Sequence, residues 1–190
     1  MKLKNIKSSN VKNYLVLFVD KGDGTELFCV SENQYERIGS PLIGDEITDG
    51  QYGLLSSLKE EWLAVKRALN ILSYGDNSRS SLFAKLRKAG FSSDVSKRTV
   101  EQMVVLGYID EKRQLRRLIS YEVNKSLSGP RKFTSKLYSK GYSAASIREV
   151  TEELIRSGEI DFAEARRALV EKYSPTTEEE EKALYYKRGF

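Results

Sequence analysis

An internal repeat constrains this chain more than any other feature. Displaced by 51 residues, Lys85–Asp110 lies on Lys136–Asp161 with eight of 26 positions identical. Ordinary residue frequencies give about one or two such matches by chance. The identities fall on structural punctuation: Gly90/Gly141, Ser92/Ser143, Gly107/Gly158 and the Ile109-Asp110/Ile160-Asp161 pair. Apolar positions agree as well, as Leu82/Phe133, Phe91/Tyr142, Met103/Leu154 and Val104/Ile155. A short helical unit cannot bury its apolar face alone, so such units stack on their neighbours in an array.

Each unit reads as three short helices. Leu54, Leu55 and Leu58, then Trp62, Val65, Ala68, Leu69 and Leu72, recur near the helical period. Gly75-Asp76-Asn77-Ser78 breaks that run, and Ser78 can cap the next helix, whose stripe is Leu82, Phe83 and Leu86. Gly90 suits the left-handed position after a helix, and Ser92 caps a third helix that Gly107 closes. In the second unit Pro130 stands near the first helical position, where its missing N–H is harmless. A third unit opens at Asp161, with Phe162, Ala165, Leu169 and Tyr173 as its stripe, and stops after its second helix. The array is therefore expected to hold two complete units and part of another, with an apolar edge showing at the end.

Ahead of the array lies a small β unit. Tyr14–Val19 and Leu27–Val30 read as strands joined by the turn Asp20-Lys21-Gly22-Asp23-Gly24. Ile43–Ile47, after Pro41, is expected to add a third short strand. The fold class expected is mainly α: tandem three-helix repeats in a curved, elongated array, preceded by a small N-terminal β-hairpin or meander. The boundaries expected are 1–48 for the β unit, 49–60 for a connecting helix, 61–109 and 110–160 for the complete repeats, and 161–190 for the partial one.

Charge is uneven along the chain. The net formal charge of +5 resolves into −2 over residues 1–58, +4 over 59–109, +6 over 110–142 and −3 over 143–190. Arg113, Arg116 and Arg117 share one helical face, which Lys112 extends. Arg131, Lys132, Lys136 and Lys140 follow on the next helix, and Arg79, Lys85, Arg87 and Lys88 occupy the corresponding helix of the first repeat. These twelve residues are the candidate partner-binding set. They read either as solvated helix faces or as a basic stripe that attracts phosphate. Tyr121 and Tyr138 stand among them as candidates for base stacking, whereas Phe133 and Tyr142 align with core positions. Asp110 and Asp161 recur at one position of successive units, which points to helix capping rather than to a catalytic pair. The Glu178–Glu181 run suits the first turn of its helix.

With no histidine and a single cysteine, Cys29, the chain has no His-based triad, no His-containing zinc site and no disulfide framework. Gly22 and Gly24 do not form a phosphate loop, since no Lys-Ser/Thr and helix follow in register. Residues Met1–Lys7 lack an apolar signal core, and no apolar run is long enough for a membrane span. A cytoplasmic, cofactor-free binding protein is expected, monomeric and without a membrane partner.

Four stretches resemble one known family. Ala68–Ser73 followed by Ser78 is similar to the opening of the RecX regulatory proteins. Lys85-Leu86-Arg87-Lys88-Ala89-Gly90-Phe91 resembles their basic-Gly-aromatic helix end. Gly107-Tyr108-Ile109-Asp110-Glu111 resembles their Gly-Tyr-Leu-Asp-Asp junction. Gly129-Pro130 through Lys136-Leu137 and Lys140-Gly141-Tyr142 resembles their second-unit helix. The match covers roughly 61–190. Two positions depart from the pattern: Gln114 stands where an aromatic is usual, and Ser81 where an acid is common. The resemblance implies tandem three-helix units and a modulator, usually inhibitory, of the RecA recombinase. It implies binding along the groove of the RecA–single-stranded-DNA filament, in DNA repair, recombination and the SOS response. Sequence-independent binding of nucleic acid by the helical array itself is the alternative.

Overall fold

The turn at Asp20–Gly24 sets the register of the first sheet. In the computed structural model, which describes residues 1–9 and 13–190, Gly22 lies at φ +91°. The Asp20 carboxylate accepts the Gly22 N–H at 3.0 Å, and Lys21 N–H donates to the Gly24 carbonyl at 2.9 Å. Strands β1 (Lys2–Ser8), β2 (Tyr14–Asp20) and β3 (Thr25–Ser31) form one antiparallel sheet in the order β1-β2-β3. Register pairs Leu3 with Val19 and Leu17 with Phe28, so the period-2 alternation puts all four on one buried face.

The third strand is not where the sequence placed it. Ile43–Ile47 contributes only an isolated bridge, Glu46 to Lys2, while β1 supplies the strand. Gly44 at φ +100° and the Asp45 carboxylate, which takes the Leu42 N–H at 2.7 Å, close a turn there instead. A short helix, α1 (Glu32–Arg37), follows β3 directly. Its start is a capping box between Ser31 and Gln34.

Eight further helices follow among the described residues: α2 (Asp49–Ser73), α3 (Arg79–Lys88), α4 (Ser93–Val105), α5 (Glu111–Asn124), α6 (Pro130–Ser139), α7 (Ala144–Arg156), α8 (Phe162–Tyr173) and α9 (Glu178–Arg188). Their ends carry the repeated punctuation. Gly90 and Gly141 sit at φ +96° and +88°, and Gly107 and Gly158 at +76° and +73°. Ser92 and Ser143 cap α4 and α7 by accepting the N–H of Val95 and Ser146. Asp110 and Asp161 cap α5 and α8, each cap contributing about 1 kcal/mol. Asp49–Ser73 is one continuous helix of 25 residues, started by Thr48 and Gln51.

The chain divides into two compact units. One comprises Met1–Asn70 and Leu86–Thr99; the other comprises Ile71–Lys85 and Val100–Phe190. The first is centred on the sheet, with Ile38, Ile47 and Leu55 closing its core. The second is built on Leu115, Ile119, Phe133, Leu137, Tyr142, Ile147 and Leu154, flanked by Phe162 and Phe190. Full burial of each large apolar side chain contributes roughly 1.5–3 kcal/mol. Gln114 is buried too, and its side-chain oxygen accepts the Tyr142 hydroxyl at 2.8 Å. This satisfies a polar pair that would otherwise be costly inside the core.

Within the second unit, successive middle helices meet end to end at two joints. At the first, the Ser78 hydroxyl donates to the Lys140 carbonyl at 2.8 Å, so the start of α3 rests on the end of α6. At the second, the Gly129 N–H donates to the Arg188 carbonyl at 2.7 Å, so the start of α6 rests on the end of α9. Ser78 and Gly129 are equivalent under the 51-residue displacement.

Candidate partner-binding surface

The candidate cations have different surroundings. On α5, Lys112 and Arg116 lie one turn apart and face α7, which packs against α5. Lys112 bonds Glu153 at 2.7 Å; Arg116 reaches Glu153 at 3.5 Å and also pairs with Glu159. Lys112 holds the Glu153 carboxyl below the usual carboxylate range, and Glu153 in turn raises Lys112. Arg117 turns elsewhere and pairs with Asp76, in the loop before α3. Arg113 is exposed and makes no ion pair among the described residues. The three arginines thus share a helix face but not a role.

On α6, Lys136 neutralises Glu122, whose side chain is only 7% exposed. A buried carboxylate needs such a partner, so Lys136 is held by the fold. Arg131 bonds the Phe190 carbonyl and lies over the Tyr186 ring at 5.2 Å. Lys132 and Lys140 are exposed, with no ion pair among the described residues. On α3, Arg79 approaches Glu101 at 3.7 Å and Lys85 donates to the Asn77 side-chain oxygen. Arg87 and Lys88 belong to the first compact unit, where Arg87 donates to the Phe91 carbonyl and Lys88 is exposed.

Three of the twelve cations are brought together. Lys85 from α3, Arg117 from α5 and Lys140 after α6 line one cleft of about 370 Å³, with Asp76, Asn77, Ser78 and Tyr142. Asp76 and Asn77 are the residues that sequence reasoning passed over. They read as a helix break, and nothing local marks a partner 41 positions away at Arg117. Of the aromatics, Tyr121 and Tyr138 are exposed, while Phe133 and Tyr142 are core residues as expected. Burial pushes the Tyr142 hydroxyl up to about 12, so it stays protonated and donates to Gln114. Among the described residues, no cluster of acidic or sulfur side chains is arranged to hold a metal ion.

No family model matches the chain. Regulatory protein RecX of Clostridioides difficile is 25% identical over 147 residues, covering 76% of this chain and 66% of that protein. Regulatory protein RecX of Lactobacillus johnsonii is 30% identical over 100 residues, covering 53% and 37%. The similarity to RecX regulatory proteins runs over much of the chain. The chain spans two thirds or less of the length of the curated RecX proteins it matches. The RecX fold is shared as well. A crystal structure of regulatory protein RecX superposes with a TM-score of 0.72 at 18% identity, covering all of this chain and 94% of that one. RecX from Lactobacillus salivarius gives 0.57 at 20% identity over 69% of this chain and 88% of the other. The helical repeat array is thus the RecX architecture, and the curated RecX relatives are named as regulatory proteins, not as enzymes. Among the described residues no helix is long and apolar enough to cross a membrane.

Proposed function

We propose that this protein is a cytoplasmic regulator that acts by binding, not by catalysis, and that its target is the RecA–single-stranded-DNA filament. The kinship with RecX regulatory proteins carries this reading. The distribution of charge supports it. Arg113, Lys132 and Lys140 are exposed cations without an ion-pair partner among the described residues. Such groups remain available to a polyanionic surface, whereas Lys112, Arg116 and Lys136 are engaged by acids of the same unit. Binding one filament state more tightly than free protomers would then shift the filament equilibrium, which is how a non-catalytic protein modulates an assembly.

Paired substitutions test this. Arg113→Ala with Lys132→Ala should weaken filament binding about tenfold or more at low salt. Lys112→Ala with Arg116→Ala should weaken it less, because those charges are already neutralised. Equal losses from the two pairs, or no loss from the first, would contradict the reading.

A further inference from the structure

The cleft at the first joint holds more positive charge than the joint needs. The one carboxylate in its lining, Asp76, is occupied by Arg117. Lys85 finds only a neutral acceptor, the Asn77 side-chain oxygen, and the Lys140 ammonium has no protein acceptor among the described residues. Three cations against one acid leave the cleft with a surplus of two positive charges. Exposed like charges gathered from three separate elements raise the local positive potential and favour an anion among them.

The second joint shows that the Arg117–Asp76 pair is not needed to join repeats, although Lys136 stands where Lys85 does. Under the same displacement Ala168 stands where Arg117 does, and Leu127 where Asp76 does. That joint closes on backbone, with Gly129 N–H on the Arg188 carbonyl and Arg131 N–H on the Gly189 carbonyl at 3.2 Å, and its two arginine side chains are spent on carbonyls, Arg131 on Phe190 and Arg188 on Ser126. A Cβ on Gly129 would clash with the Gly189 carbonyl, and the cleft of about 260 Å³ lined by Leu127 and Ala168 carries the acids Glu159, Asp161 and Glu164 in place of cations. The first joint has Ser78 in place of that glycine and stands open beside a cleft of about 370 Å³. That volume lies in the range of small-ligand sites. The start of α3 is not itself the site. Its Arg79 N–H is taken by Glu111 at 2.8 Å, and its Ser81 N–H by Ser78 at 3.0 Å.

We infer that this cleft seats a backbone phosphate of a nucleic-acid strand, held by Lys85, Lys140 and Arg117. Asp76 sets the affinity by competing for Arg117. The inference rests on the filament-binding reading for its biological setting, but its chemistry is that of a phosphodiester. It predicts opposite effects from two substitutions in one place.

The test is fluorescence anisotropy of a labelled oligothymidylate with the full chain, across a salt series. Lys140→Ala should weaken binding about three- to tenfold and lower the salt slope by about 0.7, the loss of one phosphate contact on a single strand. Asp76→Asn frees Arg117 and should tighten binding by a similar factor. Glu152→Gln makes the same charge change at an exposed position of α7 and should leave affinity within about twofold. No binding by the unaltered chain, no change from Lys140→Ala, or an equal gain from Glu152→Gln would overturn the cleft assignment. The same proteins on RecA-coated strand separate the two claims. Filament preference that survives all the substitutions would leave the regulatory reading standing without the cleft. Cleft-dependent strand binding with no filament preference would leave the cleft standing without the regulatory reading.

Discussion

The two joints of the second unit make the same connection by different means. At the first, a serine side chain bridges α3 to α6 and polar residues line an open cleft beside it. At the second, two glycines bring backbone against backbone and aromatic side chains close the surroundings, with Phe162 packed edge-on to Phe190 at 6.3 Å. A side-chain hydrogen bond at one joint corresponds to a close backbone-to-backbone approach at the other. The lesson is that the repeated positions fix the geometry of the array, while residues free to differ between repeats carry whatever is particular to each joint.

Four substitutions break or sharpen this contrast. Gly129→Ala should have the largest effect. The added methyl meets backbone atoms that cannot rotate away, so the helix ends must part, at a cost of about 2–3 kcal/mol in urea unfolding. Gly141→Ala should cost somewhat less, about 2 kcal/mol. It places a side chain at φ +88°, but its nearest neighbour, at 2.7 Å, is the movable Ser78 hydroxyl. Ser78→Ala removes both the cap of α3 and the bond to Lys140, and about 1–2 kcal/mol should be lost. If Ser78→Ala proved more damaging than Gly129→Ala, the assignment of one joint as steric and the other as polar would be reversed.

The smallest effect belongs to the α5–α7 ion pairs. Because Lys112 depresses the Glu153 pKa in the folded chain, that pair supports the fold above the ordinary carboxylate range. The support is lost as pH falls through the lowered value. Glu153→Gln should therefore lower stability slightly between the two titrations and flatten both limbs of the profile, the acid limb where Glu153 protonates and the alkaline limb where Lys112 loses its proton. Both groups face solvent, so the shift in thermal midpoint should be barely measurable. A large shift would mean that this pair, and not the joint, orders the second repeat.

The array was legible because repeats write their punctuation twice. Ser92 and Ser143, Gly107 and Gly158, Asp110 and Asp161 each gain weight from their counterpart, and all six hold the conformations or caps that their chemistry requires. The β unit has no second copy, and there apolar character alone misleads. Leu3 and Ile6 are the apolar residues of β1, set among lysines and polar side chains, while Leu42 and Ile43, more apolar to the eye, are exposed turn residues. The candidate surface was legible as charge but not as availability. Lys112, Arg116 and Lys136 look like free cations in sequence because the acids that engage them, Glu153, Glu159 and Glu122, are brought to them only by folding.

The central claim is that the partner is a nucleoprotein filament and not bare nucleic acid. The most direct measurement compares anisotropy on RecA-coated single-stranded DNA with that on the same uncoated strand, from low to moderate salt. The account predicts tighter binding to the coated strand, persisting at moderate salt because protein contacts add to the phosphate term. Equal or tighter binding to the bare strand, lost steeply as salt rises, would contradict it and leave a helical array that binds nucleic acid directly.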